Sequence, residues 1–305
     1  MKTGFIGLGK MGFNMVEHLL ELGHEVVAYD VSTEAVAAIA AKGATPAGSL
    51  QHLAGELAAP RVVWIMVPAG RPVDAVLGGL SPFLKAGDIV IDGGNSRYTD
   101  TVARAAKLRE QGVHMLDIGT SGGLDGARHG ACMMAGGERA AYEVVEPMLR
   151  DLCVENGCGY MGASGSGHFV KMVHNGIEYG MMQAIGEGFD LLRASGYDLD
   201  NETVARVWSN GSVIRGWLME LAEKAFAKDG DLGWLGGKVA DSGEGRWTVE
   251  AAVEFGVSAP IITGALFERF RSQSDVNFSD KVVAALRHEF GGHAFQTPGA
   301  REEKA

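Results

Sequence analysis

The amino-acid sequence predicts a doubly wound α/β domain over residues 1–164. An all-α domain follows over residues 165–305 and ends in an extended tail from about residue 291. In the first half, short apolar segments alternate with helical ones, which is typical of a parallel sheet covered on both faces. From residue 167 onward the pattern is mainly helical. The 45 glycines and 8 prolines among 305 residues indicate tight turns and close backbone approaches rather than linkers.

Each element follows from its local pattern. Apolar runs predict strands at Lys2–Gly7, Glu25–Asp30, Arg61–Val67, Asp88–Asp92 and Val113–Ile118. Helical periodicity between them predicts helices at Met11–Leu22, Thr33–Lys42, Asp74–Leu84 and Thr99–Gln111, with Ser32 as an N-cap. In the second half the predicted helices are His168–Ser195, Asn201–Asn210, Gly216–Lys228, Thr248–Phe255, Pro260–Ser274 and Ser279–Phe290.

Composition excludes several functions. Acidic residues exceed basic ones by 38 to 27, giving a net charge of −11, which argues against binding to nucleic acid or an anionic membrane. A local basic site for a small anion stays possible. We find no membrane-spanning apolar run and no signal-peptide pattern, so we expect a cytoplasmic protein. The three cysteines, Cys132, Cys153 and Cys158, lack metal-like spacing and predict reduced thiols, with no metal bound.

A glycine-rich turn follows the first strand. Gly7, Gly9 and Gly12 form G-x-G-x-x-G, in which the glycines allow a tight turn, approach to a pyrophosphate, and close packing of helix on strand. Asp30 ends the second strand, where an acid binds a ribose 2′-hydroxyl and repels a 2′-phosphate. The pattern predicts a Rossmann-type domain that binds NAD in preference to NADP. The alternative is a glycine turn in an unrelated α/β protein, with Asp30 as a helix-capping acid.

Two further glycine clusters follow strands, where ligands bind in doubly wound sheets. Asn95, in Asp92–Ser96, is placed to bind substrate or nicotinamide. Ser121, Gly122 and Gly123 could form an anion-binding loop. An ordinary turn and a flexible connector are the respective alternatives. A third cluster, Gly165–His168, opens the long helix and is either a hinge or simply a helix start.

The long helix carries the strongest candidates for chemistry. Lys171, Asn175 and Glu178 fall on one side of it, flanked by His174 and Tyr179, and most of its remaining surface is apolar. Buried lysine and glutamate are rare unless they are paired or functional. We interpret Lys171 and Glu178 as an acid–base couple, with the lysine made less basic by desolvation. The alternative is a structural ion pair or a solvated stripe.

These motifs together resemble the 6-phosphogluconate dehydrogenase family, in its shorter, NAD-type branch of the β-hydroxyacid dehydrogenase superfamily. The most specific match is the run His168–Tyr179. The other matches extend over nearly the whole chain: Gly7–Gly12 with Asn14, Asp92–Ser96 with Tyr98, Asp100 and Thr101, Ser121–Gly123, Gly126–Arg128, Gly245–Thr248 and Phe290–His293.

The resemblance implies NAD-dependent oxidative decarboxylation of 6-phospho-D-gluconate to D-ribulose 5-phosphate and CO2, without a metal, in the pentose phosphate pathway and gluconate utilisation. It makes Lys171 the base at the C3 hydroxyl of the substrate and Glu178 the acid that protonates C1 of the resulting enediol. The resemblance also implies which residues bind the substrate and the cofactor. The sugar acid would be held by Asn95, Ser121, Gly122, Gly123, His174 and Asn175, and the phosphate by Tyr179 and Arg269. NAD would be held by Gly7, Leu8, Gly9, Met11, Gly12, Asp30, Val67 and Asn95.

The resemblance also implies a homodimer or a dimer-based tetramer, in which Arg287 and His293 reach the substrate of the partner subunit. One departure concerns Ser242 and Glu244, which replace a phosphate-binding lysine and threonine of longer relatives; Arg246 could compensate. Two other functions remain open. One is a β-hydroxyacid dehydrogenase acting on a small unphosphorylated acid, and the other is a non-catalytic NAD-binding sensor.

Overall fold

A computed structural model describes residues 1–292 and residue 294. The first half of the chain folds around one eight-stranded sheet. Its strands are β1 (Lys2–Ile6), β2 (Glu25–Tyr29), β3 (Thr45–Pro46), β4 (Val62–Ile65), β5 (Ile89–Asp92), β6 (His114–Ser121), β7 (Ala131–Gly137) and β8 (Cys153–Gly162). They lie in the order β3-β2-β1-β4-β5-β6-β7-β8, and all neighbouring pairs are parallel except β6 with β7. The first six strands thus have the order of a Rossmann domain.

Helices connect these strands. They are α1 (Lys10–Glu21), α2 (Thr33–Ala40), α3 (Leu50–Gly55), α4 (Arg71–Leu80), α5 (Tyr98–Arg109), α6 (Gly123–His129) and α7 (Arg139–Asp151). The side chain of Ser32 accepts a hydrogen bond from the backbone N–H of Ala35 at 3.2 Å, so the expected N-cap of α2 is present.

Both faces of the central part of the sheet are buried. Along β4, Val62 and Trp64 face one apolar core, whereas Val63 and Ile65 face the other. Successive residues of a strand point to opposite faces, so a strand buried on both sides is a continuous apolar run in the sequence. This is the pattern from which the strand was predicted. The predicted fold class, a Rossmann-type domain followed by helices, is confirmed.

The helices of the second half are α8 (Ser166–Ala194), α9 (Asn201–Ser209), α10 (Trp217–Phe226), α11 (Glu244–Glu254), α12 (Pro260–Ser272) and α13 (Phe278–Gly291). The chain forms two compact units. The first contains residues 1–177 and 244–255, and the second contains residues 178–243 and those from 256 onward. Within the second unit, Phe189, Met219 and Phe226 are buried in a small apolar core with Ala205.

The predicted domain boundary at residue 164 lies before this division, at the start of α8. The first turns of α8 belong to the first unit because they pack on its sheet, with Lys171 against β6 at Gly119. Helix α11 joins the same unit because the Thr248 hydroxyl donates a hydrogen bond to the Met172 carbonyl oxygen at 2.9 Å. The sequence pattern marks where helices begin to dominate, whereas the compact units reflect where those helices pack.

The segment between residues 131 and 162 carries β7, α7 and β8, none of which the sequence pattern predicted. Strand β7 ends in two glycines and pairs antiparallel with β6, outside the alternating rhythm of strand and helix. Strand β8 lies at the edge of the sheet and is partly exposed along much of its length, so it lacks a continuous apolar run. The short elements β3, α3 and α6 were also not predicted.

None of the helices within residues 1–292 combines the length and the apolar character needed to cross a membrane. The extended tail predicted from residue 291 lies almost entirely outside the described residues, as does His293. Within the described part, α13 ends at Gly291.

Candidate active site

The glycine-rich turn joins β1 to α1, and contacts within the fold require glycine at two of its three glycine positions. Gly7 has a φ of +102°, and a Cβ at this position would collide with the carbonyl oxygen of Met66. A Cβ on Gly12 would collide with the carbonyl oxygen of Gly7. Gly9, by contrast, has no atom within 4 Å of its would-be Cβ, so the backbone is open to a ligand at the start of α1. This arrangement fits a pyrophosphate at a helix N-terminus.

Asp30 contacts the glycine-rich turn directly. Its Oδ2 accepts a hydrogen bond from the backbone N–H of Leu8 at 2.6 Å, and its Oδ1 accepts one from the N–H of Ser32 at 2.8 Å. The carboxylate therefore orders both the turn and the start of α2. A carboxylate has about four acceptor sites, so Asp30 retains capacity for ribose hydroxyls. The two interpretations of Asp30, capping acid and nucleotide ligand, are compatible.

A cavity of about 350 Å³ opens beside this turn. Five residues predicted to bind NAD line it: Gly9, Met11, Gly12, Val67 and Asn95. The sequence did not predict the other seven lining residues: Lys10, Met66, Pro68, Ala69, Gly93, Gly94 and Thr120. The other three residues predicted to bind NAD are absent from this lining. Gly7 and Leu8 belong to the turn itself, and Asp30 supports the turn by accepting a hydrogen bond from the Leu8 N–H. The cavity lies at the carboxyl ends of β1, β4, β5 and β6, the usual ligand position in such sheets.

A buried arginine holds two of the cavity-lining loops together. Arg104, on α5, is only 7% exposed. Its Nη2 donates a hydrogen bond to the carbonyl oxygen of Gly70 at 3.1 Å, and its Nη1 lies 3.5 Å from Ser96 Oγ and 3.9 Å from Asp92 Oδ2. Its Nε donates to Asp74 at 2.8 Å, and this hydrogen bond lowers the pKa of the Asp74 carboxyl.

Asp92 is fully buried and orders the loop that carries Asn95. Its Oδ2 accepts a hydrogen bond from the Ser96 hydroxyl at 2.7 Å, and its Oδ1 accepts one from the N–H of Gly94 at 3.2 Å. Asn95 itself is exposed at the cavity rim. Sequence reasoning missed the role of Arg104. An arginine in a polar helix gives no local sign that it will be buried.

Helix α8 is attached to the sheet through Asp117 of β6. The buried Asp117 carboxylate accepts hydrogen bonds from the N–H groups of Gly165, at 2.8 Å, and His168, at 2.9 Å. Two residues along β6, a Cβ at Gly119 would collide with the Cβ of Lys171. Gly119 thus allows the lysine stem to lie directly on the strand. The sequence did not single out Asp117 or Gly119.

Four predicted residues form one connected cluster on α8 and β6. The Nζ of Lys171 donates a hydrogen bond to Asn175 Oδ1 at 2.5 Å and lies 3.5 Å from His174 Nδ1. His174 Nδ1 is also 3.1 Å from Asn175 Oδ1, and its Nε2 is 3.2 Å from Ser121 Oγ. Lys171 and Asn175 are 7% and 9% exposed, so the amine is largely removed from water. Gly122 and Gly123 follow Ser121 with φ values of +117° and +59° at the start of α6.

The predicted phosphate ligands of the second unit also lie together. The guanidinium carbon of Arg269 is 3.3 Å from the centroid of the Tyr179 ring, and Arg269 Nη1 donates to the Ala240 carbonyl oxygen at 3.0 Å. The buried Tyr179 hydroxyl donates to Asp241 Oδ1 at 3.3 Å and lies 3.4 Å from Ser242 Oγ. Arg287 is exposed on α13. Glu178 is partly buried on α8, where the second unit begins.

The fold and the cavity are those of a dinucleotide-binding protein. Two family models match the chain. The first, described as the NAD binding domain of 6-phosphogluconate dehydrogenase, matches residues 2–171, and the second, the C-terminal domain of the same enzyme, matches residues 167–287. The chain therefore belongs to the 6-phosphogluconate dehydrogenase family, as its motifs predicted.

Curated relatives agree with the family models. An NAD(+)-dependent, decarboxylating 6-phosphogluconate dehydrogenase of Haloferax volcanii is 49% identical over 295 residues, which cover 96% of this chain and 98% of that protein. The Bacillus subtilis protein YqeC, whose name assigns it provisionally as a 6-phosphogluconate dehydrogenase, is 54% identical over 294 residues. The match covers 96% of this chain and 99% of YqeC.

Solved structures of two enzyme classes share this fold. A Plasmodium falciparum 6-phosphogluconate dehydrogenase, studied free, with NADP+ and with 6-phosphogluconate, matches with a TM-score of 0.82 at 29% identity. The match covers 99% of this chain and 67% of that one. A 3-hydroxyisobutyrate dehydrogenase of Mycobacterium tuberculosis matches with a TM-score of 0.69 at 23% identity, covering 94% of this chain and 99% of that one. The second match shows the shared fold alone.

Arg104 offers a test of how the cavity loops are held. We expect Arg104→Lys to raise KM for NAD and for 6-phosphogluconate by about 5- to 10-fold, because a single ammonium cannot join Gly70, Ser96 and Asp92. Initial-rate kinetics measure the change. The control is Asp74→Asn, which removes only the 61% exposed ion-pair partner and should change KM little. Unchanged KM values in a folded Arg104→Lys enzyme would contradict the assignment.

Proposed function

We propose that the cluster of Lys171, His174, Asn175 and Ser121 is the catalytic centre for the NAD-dependent oxidative decarboxylation of 6-phospho-D-gluconate to D-ribulose 5-phosphate and CO2. The observation that carries the proposal is the buried Lys171 amine, hydrogen-bonded to Asn175 on a helix packed against β6, whose Thr120 lines the nucleotide cavity. The predicted reaction, enzyme class and cofactor are confirmed by the relatives named as NAD(+)-dependent and decarboxylating. This reaction belongs to the pentose phosphate pathway.

The chain's open glycine-rich turn and Asp30 would hold NAD, which accepts a hydride from C3 of the substrate when it is bound. Lys171 takes the proton of the C3 hydroxyl. Burial favours the uncharged amine that can accept this proton, and the Asn175 carbonyl oxygen stabilises the ammonium that results. Ser121 contacts His174, and Asn175 accepts a hydrogen bond from Lys171. We assign these four side chains to the hydroxyls of the sugar acid.

The second step follows from the product of the first. A 3-keto acid loses CO2 readily because the carbonyl next to the breaking bond accepts its electron pair. The Lys171 ammonium polarises that carbonyl and returns a proton to its oxygen, giving an enediol. Glu178 then protonates C1 of the enediol, which was C2 of the substrate. The role of Glu178 rests on the family motif His168–Tyr179 and not on a contact.

The phosphate is assigned to Tyr179 and Arg269, which lie together in the second unit. A guanidinium provides paired donors that suit phosphate oxygens. Ser242, at the position of a lysine in longer relatives, is exposed, whereas Glu244 is buried at the start of α11. Arg246 is exposed in the first turn of the same helix. Its positive charge is assigned to compensate for the missing lysine.

The assembly is proposed to be a homodimer or a dimer-based tetramer, with Arg287 and the tail that includes His293 reaching the partner subunit. Large apolar side chains are exposed on α12 and α13, which favours burial against another copy of the chain. They include Ile261, Phe267, Phe278, Val283 and Leu286. A cytoplasmic location is part of the same proposal, as expected for an enzyme of sugar-phosphate metabolism.

The base assignment is tested by Lys171→Ala. We expect kcat for ribulose 5-phosphate formation to fall by roughly 10²–10⁴-fold, because general-base catalysis is lost, while the Kd for NAD stays near that of the wild type. Lys107→Ala, which changes an exposed lysine on α5, is the matched control. Substantial turnover in Lys171→Ala would assign the base elsewhere.

Cofactor choice is tested at Asp30. Asp30→Asn keeps an oxygen to accept the Leu8 N–H but removes the charge that repels a 2′-phosphate. We expect the ratio of kcat/KM for NAD over NADP to fall by roughly 10-fold, or about 1.4 kcal/mol. Glu34→Gln removes a nearby exposed charge on α2 and should leave the ratio unchanged. An unaltered ratio in Asp30→Asn would remove Asp30 from this role.

Assembly is tested by sedimentation. We expect a mass at least twice that of the 32.1 kDa chain, and Phe267→Glu should shift the protein toward monomer, because the charge replaces an apolar side chain that is 58% exposed. Val144→Glu, on α7, makes the same change outside the proposed interface. A wild-type monomer at micromolar concentration would contradict the proposal.

The rival activity is tested by direct comparison of substrates. Initial rates with 6-phosphogluconate and with 3-hydroxyisobutyrate, each with NAD and NADP, distinguish the proposed enzyme from a dehydrogenase of small unphosphorylated acids. NAD reduction by 3-hydroxyisobutyrate without ribulose 5-phosphate formation would favour the latter. No reduction of NAD with any sugar acid would favour a non-catalytic sensor.

A further inference from the structure

Strand β8 contains a wide bulge between two cysteines. Ala131 of β7 pairs with Cys153, and Met133 pairs with Cys158. Two steps along β7 therefore lie opposite five steps along β8, and residues 154–157 are extruded from the ladder. The bulge brings two residues that are distant along the strand close together in space.

The local backbone is built for this bulge. Asn156 has a φ of +61°, a left-handed conformation that asparagine tolerates better than most residues. A Cβ at Gly157 would lie 2.8 Å from the Ala131 carbonyl oxygen and 2.9 Å from that of Val154, so there is no room for a side chain. The approach of the two cysteines is therefore imposed by the chain around them.

The bulge places both thiols on one face of the sheet. Residues 131 and 133 are two apart on a strand and so point to the same side, and their ladder partners do likewise. Cys153 and Cys158 are half-buried there against the apolar core, and Cys158 Sγ lies 3.9 Å from the Tyr142 hydroxyl on α7. Two strand steps span roughly 6.4–6.8 Å, which is within the Cα separation that a disulfide can bridge.

The two thiols also interact with each other. The neighbouring Cys153 thiol lowers the pKa of the Cys158 thiol to about 7, and the nearby Tyr142 hydroxyl and Arg150 charge act in the same direction. Burial and Glu146 oppose this shift. The Cys158 thiol and burial raise the pKa of Cys153. Cys158 is thus the nucleophilic partner and Cys153 the proton-bearing one, as in dithiols that react with peroxide.

We propose that Cys153 and Cys158 form an oxidation site, at which hydrogen peroxide converts two thiols into an intramolecular disulfide. The Cys158 thiolate attacks one peroxide oxygen, so that an S–O bond forms, the O–O bond breaks and hydroxide leaves. The Cys153 sulfur then attacks the Cys158 sulfur, an S–S bond forms, and the oxygen leaves as water with the Cys153 proton. The two thiols lose two electrons in total, and peroxide is reduced to two waters.

The test treats the purified full-length protein with equimolar hydrogen peroxide. We expect the intact mass to fall by two hydrogen atoms, and peptide mapping without reductant to identify a Cys153–Cys158 cross-link that dithiothreitol removes. In Cys153→Ser, the Cys158 sulfenic acid has no resolving thiol and should be trapped by dimedone. In Cys158→Ser, both the cross-link and the dimedone adduct should be lost.

Cys132→Ser is the matched control, because Cys132 is exposed on β7 and should not affect cross-linking. The mapping of the wild-type protein decides the question even if a variant fails to fold. A cross-link that involves Cys132, a sulfinic acid at Cys158 without cross-link, or unmodified Cys153 and Cys158 would each overturn the proposal.

Discussion

The position of helix α8, which carries Lys171, depends on one buried carboxylate. The first N–H groups of a helix have no partner within it, and two of those at the start of α8, on Gly165 and His168, donate to Asp117. The negative charge of Asp117 also interacts favourably with the positive end of the helix dipole, which offsets part of the cost of its burial. Because β6 holds Asp117, the sheet fixes where α8 begins, and Lys171 follows one turn later. The Lys171 amine is thus placed by the sheet.

Close approach completes this placement. Any side chain at residue 119 would meet the Lys171 stem, so the absence of one lets the lysine lie flat on β6. Its amine then reaches Asn175 and His174 on its own helix, while Ser121 contacts His174 from the strand. Helix α8 and strand β6, which already contact each other through Asp117 and Gly119, therefore share one hydrogen-bonded cluster. A lysine held by several rotamer-limiting contacts loses little further freedom when substrate binds, which favours catalysis.

The sequence could predict those features whose residues lie close together along the chain. Lys171 and Asn175 lie four residues apart on one helix, and the glycine-rich turn is a contiguous motif, so both could be recognised from periodicity and spacing. Arg104 contacts Gly70 and Asp74, and Asp117 contacts Gly165 and His168, across dozens of residues of chain. No local pattern marks such partners. Strand β8 was missed because its edge position leaves it partly exposed and without a continuous apolar run. Strand β7 is short and apolar, but it ends in two glycines and pairs antiparallel with β6, outside the alternation of parallel strands and helices.

The same contacts explain how an acidic protein can bind anions. The buried carboxylates of Asp88, Asp92 and Asp117 are each occupied by backbone N–H groups, and the first two also by arginine or hydroxyl donors. Their charges are therefore directed into the fold. Among the described residues that line the cavity there is no aspartate or glutamate, and Lys10 stands at the first turn of α1. The net charge of −11 is spread over the whole chain, and the field of each charge is screened within about one Debye length, roughly 8–10 Å. Whether an anion can bind in the cavity therefore depends on the charges close to it. The cavity presents the N-terminus of α1, the Asn95 amide and the Lys10 amine, which is an environment suited to negatively charged groups.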